Sequence, residues 1–346
     1  MKETMKVAVM TGIGKIGFEE RKVPEVGTDE VLVQLEYVGI CGSDMHYYET
    51  GRIGDFVVKP PFVLGHECAG VVVKAGAEVK NLKVGDRVAL EPGKTCKSCI
   101  YCRRGDYNLC PDVIFFATPP VDGVFQEYVA HEAALCFKLP EHVSTMEGAL
   151  IEPLAIGFHA ANQGGAKVGQ TAVVFGAGCI GLVSMLALKA CGVTTAYVVD
   201  SMENRLEKAM QLGADGVINF AKEDPVKKMM ELTENGVDLV IETAGAAAAI
   251  KSAIAMCRPA GTIVLVGYSA NNEISLPMNA AINKELRFET IFRYRHIYPI
   301  AIQAVSAGNV NIKGLVSHTF NFDEIPEAME ECINSKDKIA KAVVKI

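Results

Sequence analysis

Residues 171–181 read Thr-Ala-Val-Val-Phe-Gly-Ala-Gly-Cys-Ile-Gly, and this stretch decides the fold. Five strand-forming residues run straight into a G-x-G-x-x-G turn, and an apolar helical stretch, Leu182 to Ala190, follows. Gly176 serves the tight turn, and Gly178 lets backbone amides approach a pyrophosphate. Gly181 lets the helix pack on its strand, and the helix N-terminus faces the phosphate charge. A second predicted strand ends in Asp200, 19 residues after Gly181. A carboxylate there accepts hydrogen bonds from an adenosine ribose and repels a 2′-phosphate, which favours NAD over NADP. Arg205 follows five residues on, where it can lie over an adenine. A ligand-free glycine turn is the plainer alternative. The preceding strand, the following helix and the acid beyond them argue against it.

Outward from this turn the chain alternates. Strands are predicted at 171–175, 196–199, 216–218, 239–242, 263–266 and 286–291, with helices at 202–212, 225–233 and 247–256. Six strands alternating with helices make a doubly wound parallel sheet. Before about residue 150 the texture differs. Val31 to Tyr37, Gly70 to Val73 and the end of 84–90 are strand-like, and Pro and Gly are frequent, as expected of an irregular, mainly β domain. After the sheet, 325–334 is a predicted helix and 340–346 a closing strand.

The 346 residues allow two to three domains. Apolar residues make up 50% and charged residues 22%, which excludes disordered and collagen-like chains. The formal net charge of −7 argues against nucleic acid and anionic membrane surfaces as partners. The uncharged stretch 171–188 is close to membrane-spanning length, but three glycines break it and a strand-turn-helix explains it better. Eleven cysteines, and no export signal in 1–10, point to a reducing, cytoplasmic compartment in which the cysteines are thiols or metal ligands.

Four of those cysteines, Cys96, Cys99, Cys102 and Cys110, fall within 15 residues. Thiolates at this spacing close a tetrahedral zinc site with no open position, which is a structural site. Cys110-Pro111 also suits an iron–sulfur ligand run, although the last spacing is too long and no second cluster motif exists.

A second constellation is dispersed. Residues 39–47 carry Cys41, Ser43, Asp44, His46 and Tyr47; residues 65–67 add His66 and Glu67; residues 150–153 add Glu152 in an apolar setting. A Cys, a His and carboxylates from separate segments suit a zinc that keeps one position for water or substrate. Taken singly, each also has a plain reading: Cys41 as a small core residue, His66 as a structural histidine, Glu152 as a helix-start acid.

On these residues the whole chain resembles the zinc-containing medium-chain dehydrogenases, and within them the polyol (sorbitol/xylitol) dehydrogenases. The matching stretches include GICGSDMHYYETGRIG (39–54), PFVLGHECAG (61–70), VGDRVALEPG (84–93), ATPPVDG (117–123), ALIEP (149–153), VFGAGCIG (174–181) and FRYRHIYP (292–299). The resemblance implies a GroES-like, mainly β catalytic domain at 1–153 and 293–346, with a zinc lobe at 93–112, around a Rossmann domain at 154–292. It implies Cys41 and His66 as catalytic zinc ligands, with Glu67 or Glu152 as the direct carboxylate and the choice open. Asp44 is implied as the acid orienting His66. Tyr47, Glu152, Arg293 and Tyr294 match polyol contacts. Gly176, Gly178, Ile180, Gly181, Asp200 and Arg205 match cofactor contacts, and Val266, Gly267, Tyr268, Phe292 and Arg293 line the nicotinamide side. Simple alcohol dehydrogenases of the superfamily carry a ligand cysteine where this chain has Glu152.

The implied activity is that of an L-iditol 2-dehydrogenase or xylitol dehydrogenase. A polyol is oxidised to a ketose, and hydride passes from a zinc-bound alkoxide to NAD. Ser43 with the nicotinamide ribose and His46, or Glu152 through water, are the two routes for the released proton. Two zinc ions per subunit, a homotetramer or dimer, and no nucleic-acid or membrane partner belong to the same expectation. The rival readings are a dehydrogenase of the same superfamily for 2,3-butanediol, threonine or a phosphorylated polyol (Arg52 or Arg295 meeting the phosphate), and a non-catalytic NAD-holding protein.

Overall fold

A computed structural model of the chain describes residues 2–271 and 273–346. It divides into two compact units. The first runs up to Glu152 and resumes at Tyr298–Ser306 and Val316–Ile346; the second is Pro153–Ile297 with Ala307–Leu315. The chain therefore returns to the first unit at Tyr298, five residues later than the boundary at 293 expected from the sequence. Phe292 to Ile297 still belongs to the exit from the last strand of the second unit. Tyr298 is the first residue anchored in the first, where its buried hydroxyl donates to Leu90 O at 2.8 Å.

The first unit is built on a seven-stranded sheet. Its path runs Cys136–Lys138, Arg87–Leu90, Glu67–Ala75, Glu30–Gly39, Ala342–Lys345 and His318–Asn321, and Tyr128–Glu132 also pairs with Glu30–Gly39. All neighbours are antiparallel except the last pair. Val31, Leu32, Val33, Leu35 and Val38 of Glu30–Gly39 are all buried. A hairpin, Thr4–Gly12 with Lys15–Lys22, and the helix Ile325–Asn334 contribute to the same core. Gly39 ends the central strand with Glu67 beside it on one side and Val343 on the other. That register brings the chain's last strand next to the strands that carry the candidate ligands.

The second unit is a parallel sheet of six strands, in the order Gly216–Asn219, Thr195–Asp200, Thr171–Phe175, Val237–Glu242, Cys257–Leu265, Arg287–Thr290. Numbered within the unit this is 3-2-1-4-5-6, the doubly wound dinucleotide-binding order, whose switch point lies at the C-terminal ends of its first and fourth strands. Residues 172–175 of the first strand and 239–241 of the fourth are apolar and buried, as in a sheet covered on both faces. The stretch 171–188 is a strand, a turn and the helix Cys179–Ala190, and no helix among the described residues is long and apolar enough to cross a membrane.

The glycine turn has the geometry its sequence requires. Gly176 has φ +95°, a left-handed conformation that favours glycine. A Cβ on Gly181 would lie 1.8 Å from Gly176 O, so helix and turn touch through bare backbone. A Cβ on Gly178 would meet only Arg205 Nη1, at 3.9 Å, so the space above the turn is open and cationic. Replacing Gly181 with Ala is expected to lower stability by about 1–3 kcal/mol through overpacking. Denaturant unfolding measures this, and an unchanged midpoint would contradict the close approach.

Candidate active site

Asp44 is the least exposed polar residue near the candidate ligands, at 0%. It lies in the first turn of the helix Gly42–Thr50, which sequence periodicity does not reveal because its buried positions are Asp44, Tyr47 and Tyr48 rather than an aliphatic stripe. One carboxylate oxygen accepts from the Cys41 amide and the other from the Gly65 amide, each at 2.9 Å. Two segments 24 residues apart in sequence are thereby tied together just where they present Cys41 and His66. The sequence reading expects Asp44 to orient His66. The His66 Nδ1–Asp44 Oδ1 separation is 3.9 Å, longer than a hydrogen bond, while the two backbone amides take the short contacts.

Held this way, the ligand atoms of Cys41, His66 and Glu67 all lie within 4.8 Å of one another. His66 and Glu67 are buried and Cys41 is half-buried. Burial acts to lower the His66 imidazole, but the Cys41 sulfur, Asp44 and Glu152 together hold it well above its ordinary range. So much negative charge around one imidazole suits a divalent cation. One sulfur, one nitrogen and one carboxylate leave a fourth tetrahedral position open, as a catalytic zinc requires. Glu152, 5% exposed in the first turn of Ile151–Gln163, acts on His66 electrostatically but does not belong to the group of three. Of the two carboxylates, Glu67 is therefore the one gathered with Cys41 and His66.

Cys96, Cys99, Cys102 and Cys110 form the second group, again with all ligand atoms within 4.8 Å. Backbone amides already point at the sulfurs: Cys99 N to Cys96 Sγ at 3.3 Å, Cys102 N to Cys99 Sγ at 3.4 Å, and Cys96 N to Cys110 Sγ at 3.5 Å. Such N–H···S contacts stabilise thiolates, and hydrogen bonds from the Ser98 and Cys99 backbones bring Cys96 down to about 6. Four thiols and no other donor make a closed set, which fits a structural zinc. Tyr107, inside this lobe, donates to Glu91 Oε1 at 2.9 Å. Burial pushes Glu91 up to about 7, with Tyr107 opposing and Glu152 adding to the rise. Sequence reading passed over this link, because neither Tyr107 nor Glu91 lies in a ligand motif.

The remaining expected residues fall on both units. On the first, Ser43 is half-buried, His46 exposed, and Tyr47 buried with its ring 6.4 Å from Phe62. On the second, Arg293 and His296 have φ +55° and +57°, so 292–296 is a strained turn, and Tyr294 is 3% exposed. The Arg293 guanidinium stands 4.8 Å from the Phe292 ring centroid. Ile180 and Arg205 are half-buried at the glycine turn, Val266 and Gly267 are half-buried, and Tyr268 is 77% exposed. Asp200 ends its strand as expected, but its oxygens already accept from the Ala177, Ser201 and Met202 amides at 2.7–2.9 Å. Lone pairs remain for a ribose hydroxyl. Sequence reading also missed Glu242, fully buried at the end of the fourth strand, which accepts from Ala244 N and Gly245 N and shapes the loop beside the turn.

Two family models match the chain. "Alcohol dehydrogenase GroES-like domain" covers residues 27–141, and "Zinc-binding dehydrogenase" covers 179–307. Sorbitol dehydrogenase of Bacillus subtilis (strain 168) is 43% identical over 343 residues, 99% of this chain and 97% of that protein. The chain belongs to the zinc-binding dehydrogenases. Among solved structures, an Escherichia coli oxidoreductase/dehydrogenase of unknown specificity (ECK1772) superposes with a TM-score of 0.95 at 42% identity, covering 99% of each chain. The 2R,3R-butanediol dehydrogenase of Bacillus subtilis reaches 0.91 at 33% identity, again covering 99% of each. This dehydrogenase thus has the GroES-like and Rossmann-type units that its sequence predicts, and zinc and a nicotinamide dinucleotide are its cofactors. Replacing Asp44 with Ala is expected to weaken metal binding at Cys41, His66 and Glu67 by about 10–100-fold, the usual effect of losing an outer-shell partner. Zinc analysis should show occupancy falling at that site and persisting in the four-cysteine lobe; retention of both metals would contradict the clamp.

Proposed function

We propose that this dehydrogenase oxidises a polyol, sorbitol or xylitol in type, to the ketose with NAD. The observation that carries the reading is the carboxylate pair at the metal site: Glu67 gathered with Cys41 and His66, and buried Glu152 acting on the same imidazole. Glu152, which lies outside the group of three, can accept hydrogen bonds from the hydroxyls neighbouring the one that reacts, which a thiolate in its place cannot do as well. The 43% identity to a sorbitol dehydrogenase over nearly the full length supports the same substrate class. Zinc held by Cys41, His66 and Glu67 supplies Lewis acidity to a substrate hydroxyl, and NAD takes up the hydride.

The protein's own groups do the rest. Tyr47, Glu152, Arg293 and Tyr294 are the proposed polyol contacts. Ser43 and His46 are three apart on one helix and so share a face, half-buried at Ser43 and exposed at His46. They form a path along which a proton leaves to solvent, with Glu152 and water as the second route. At the glycine turn, Gly176, Gly178 and Gly181 take the pyrophosphate, Arg205 the adenine end and Asp200 the ribose; its charge disfavours a 2′-phosphate. A homotetramer or dimer, which rests on the family resemblance alone, and a cytoplasmic setting, which rests on the cysteine content, are part of the proposal.

The test is NADH formation with a panel of polyols, 2,3-butanediol, threonine and a polyol phosphate, with and without a zinc chelator. Chelator-sensitive oxidation of sorbitol or xylitol is the expected result. Activity confined to butanediol, threonine or the phosphate would overturn the substrate class. Replacing Asp200 with Ala is expected to shift the NADP/NAD preference towards NADP by about tenfold or more, since one buried repulsion is removed. An unchanged ratio of kcat/KM values would remove Asp200 from the specificity argument.

A further inference from the structure

Lys341 is among the most buried charged residues in the protein, at 2% exposed, and it lies just before the last strand. Its ammonium donates to Ile40 O at 2.8 Å, immediately before Cys41, and pairs with Glu67 Oε2. That carboxylate oxygen takes no hydrogen bond of ordinary geometry, so the ammonium is what it faces. Between the two strands lies Gly39, where a Cβ would come within 1.9 Å of Glu67 Oε2. Glu67 therefore reaches across a bare glycine of the intervening strand to meet a cation that just precedes the last strand. The backbone of Lys341 is fixed in turn: Ser317 N donates to its carbonyl at 2.9 Å, and Ala342 O accepts from Ile40 N at 3.0 Å.

Burying a lysine is costly unless it is paired, so a cation here must answer a specific need. Cys41, Glu67, Asp44 and Glu152 bring four negative charges to one buried place, more than a divalent metal balances. Lys341 supplies a further positive charge, and it spends that charge on Glu67 rather than on Asp44, whose oxygens the Cys41 and Gly65 amides occupy.

We propose that Lys341 is a positioning residue of the metal centre: it holds one oxygen of Glu67, leaves the other to the metal, and so weakens Glu67 as a ligand. The C-terminal strand thereby tunes the Lewis acidity at the site. This rests on the reading of Cys41, His66 and Glu67 as metal ligands. It also makes an expectation opposite in sign to a structural role. Removing a cation from beside a dication, and freeing a carboxylate towards it, should tighten metal binding, whereas loss of a merely structural anchor should loosen it.

The experiment compares wild type with K341M, K341R and G39A as zinc-loaded full-length enzymes. Three quantities are read: the rate at which the catalytic site yields zinc to a chromogenic chelator, the visible absorption after replacing that zinc with Co²⁺, and kcat for the best substrate of the panel. In K341M zinc release should slow by about tenfold or more. The Co²⁺ bands should shift and kcat should fall by about tenfold. K341R, which keeps the charge, should restore release rate and spectrum. G39A displaces Glu67 from the ammonium without removing any charge, and should shift the Co²⁺ bands as K341M does; it decides the matter if K341M does not accumulate. Equal or faster zinc release in K341M, or Co²⁺ spectra unchanged in G39A, would overturn the proposal while leaving the metal site standing. Failure of wild type to hold a metal at Cys41, His66 and Glu67 would instead overturn the reading beneath it.

Discussion

One oxygen of Asp44 accepts from the Cys41 amide and the other from the Gly65 amide, with no solvent in contact with the side chain. Hydrogen bonds to a charged acceptor are worth about 1.5–3 kcal/mol each, and losing either would leave a buried anion short of a partner. The loop after Glu30–Gly39 and the loop before Glu67–Ala75 are therefore not free to separate. Cys41 and His66 face each other because their backbones are tied, before any metal takes part. Gly65 itself adopts φ +88°, a conformation that favours glycine.

The two metal groups use different means to the same end. The four-cysteine lobe is local: all its ligands fall between Cys96 and Cys110, and its own amides point at its own sulfurs. The proposed catalytic group is assembled from afar: Cys41 follows the strand Glu30–Gly39, His66 precedes the strand Glu67–Ala75 and Glu67 opens it, with Asp44, Glu152 and Lys341 around them. Hydrogen bonds from Tyr107 to Glu91, from Lys94 to Glu30 and from Lys97 to Glu132 tie the local site to the sheet of the first unit. A closed site of this kind stiffens a loop; an open one needs its surroundings to decide how much charge reaches the metal.

What the sequence reveals follows from how local each signal is. The glycine turn, the alternating strands and helices of the second unit, and the helix Ile325–Asn334 are all visible because hydrophobic period and turn chemistry are properties of short windows. The four cysteines are visible for the same reason. Cys41, His66 and Glu67 carry recognisable residue types, but their convergence depends on the Gly39–Glu67 register, which no window contains. The helix Gly42–Thr50 was hidden because it buries an aspartate and two tyrosines, and Lys341 because a lysine near a chain end reads as solvated surface. Phe292 to Ile297 has no periodicity of its own, so no short window marks where the chain re-enters the first unit; the Tyr298 anchor is a tertiary contact.

The proposed arrangement is one fold with two metal sites of different character, one closed by four thiols and one left open by Cys41, His66 and Glu67. Anomalous scattering from crystals of the zinc-loaded enzyme, measured on either side of the zinc edge, tests it directly. Two peaks per chain are predicted. One should be surrounded by Cys96, Cys99, Cys102 and Cys110, with sulfurs at about 2.3 Å. The other should contact Cys41 and His66, with a carboxylate oxygen of Glu67 beside it and one position held by water or substrate. A second peak absent from that group, or ligated there by protein atoms at every position, would contradict the account.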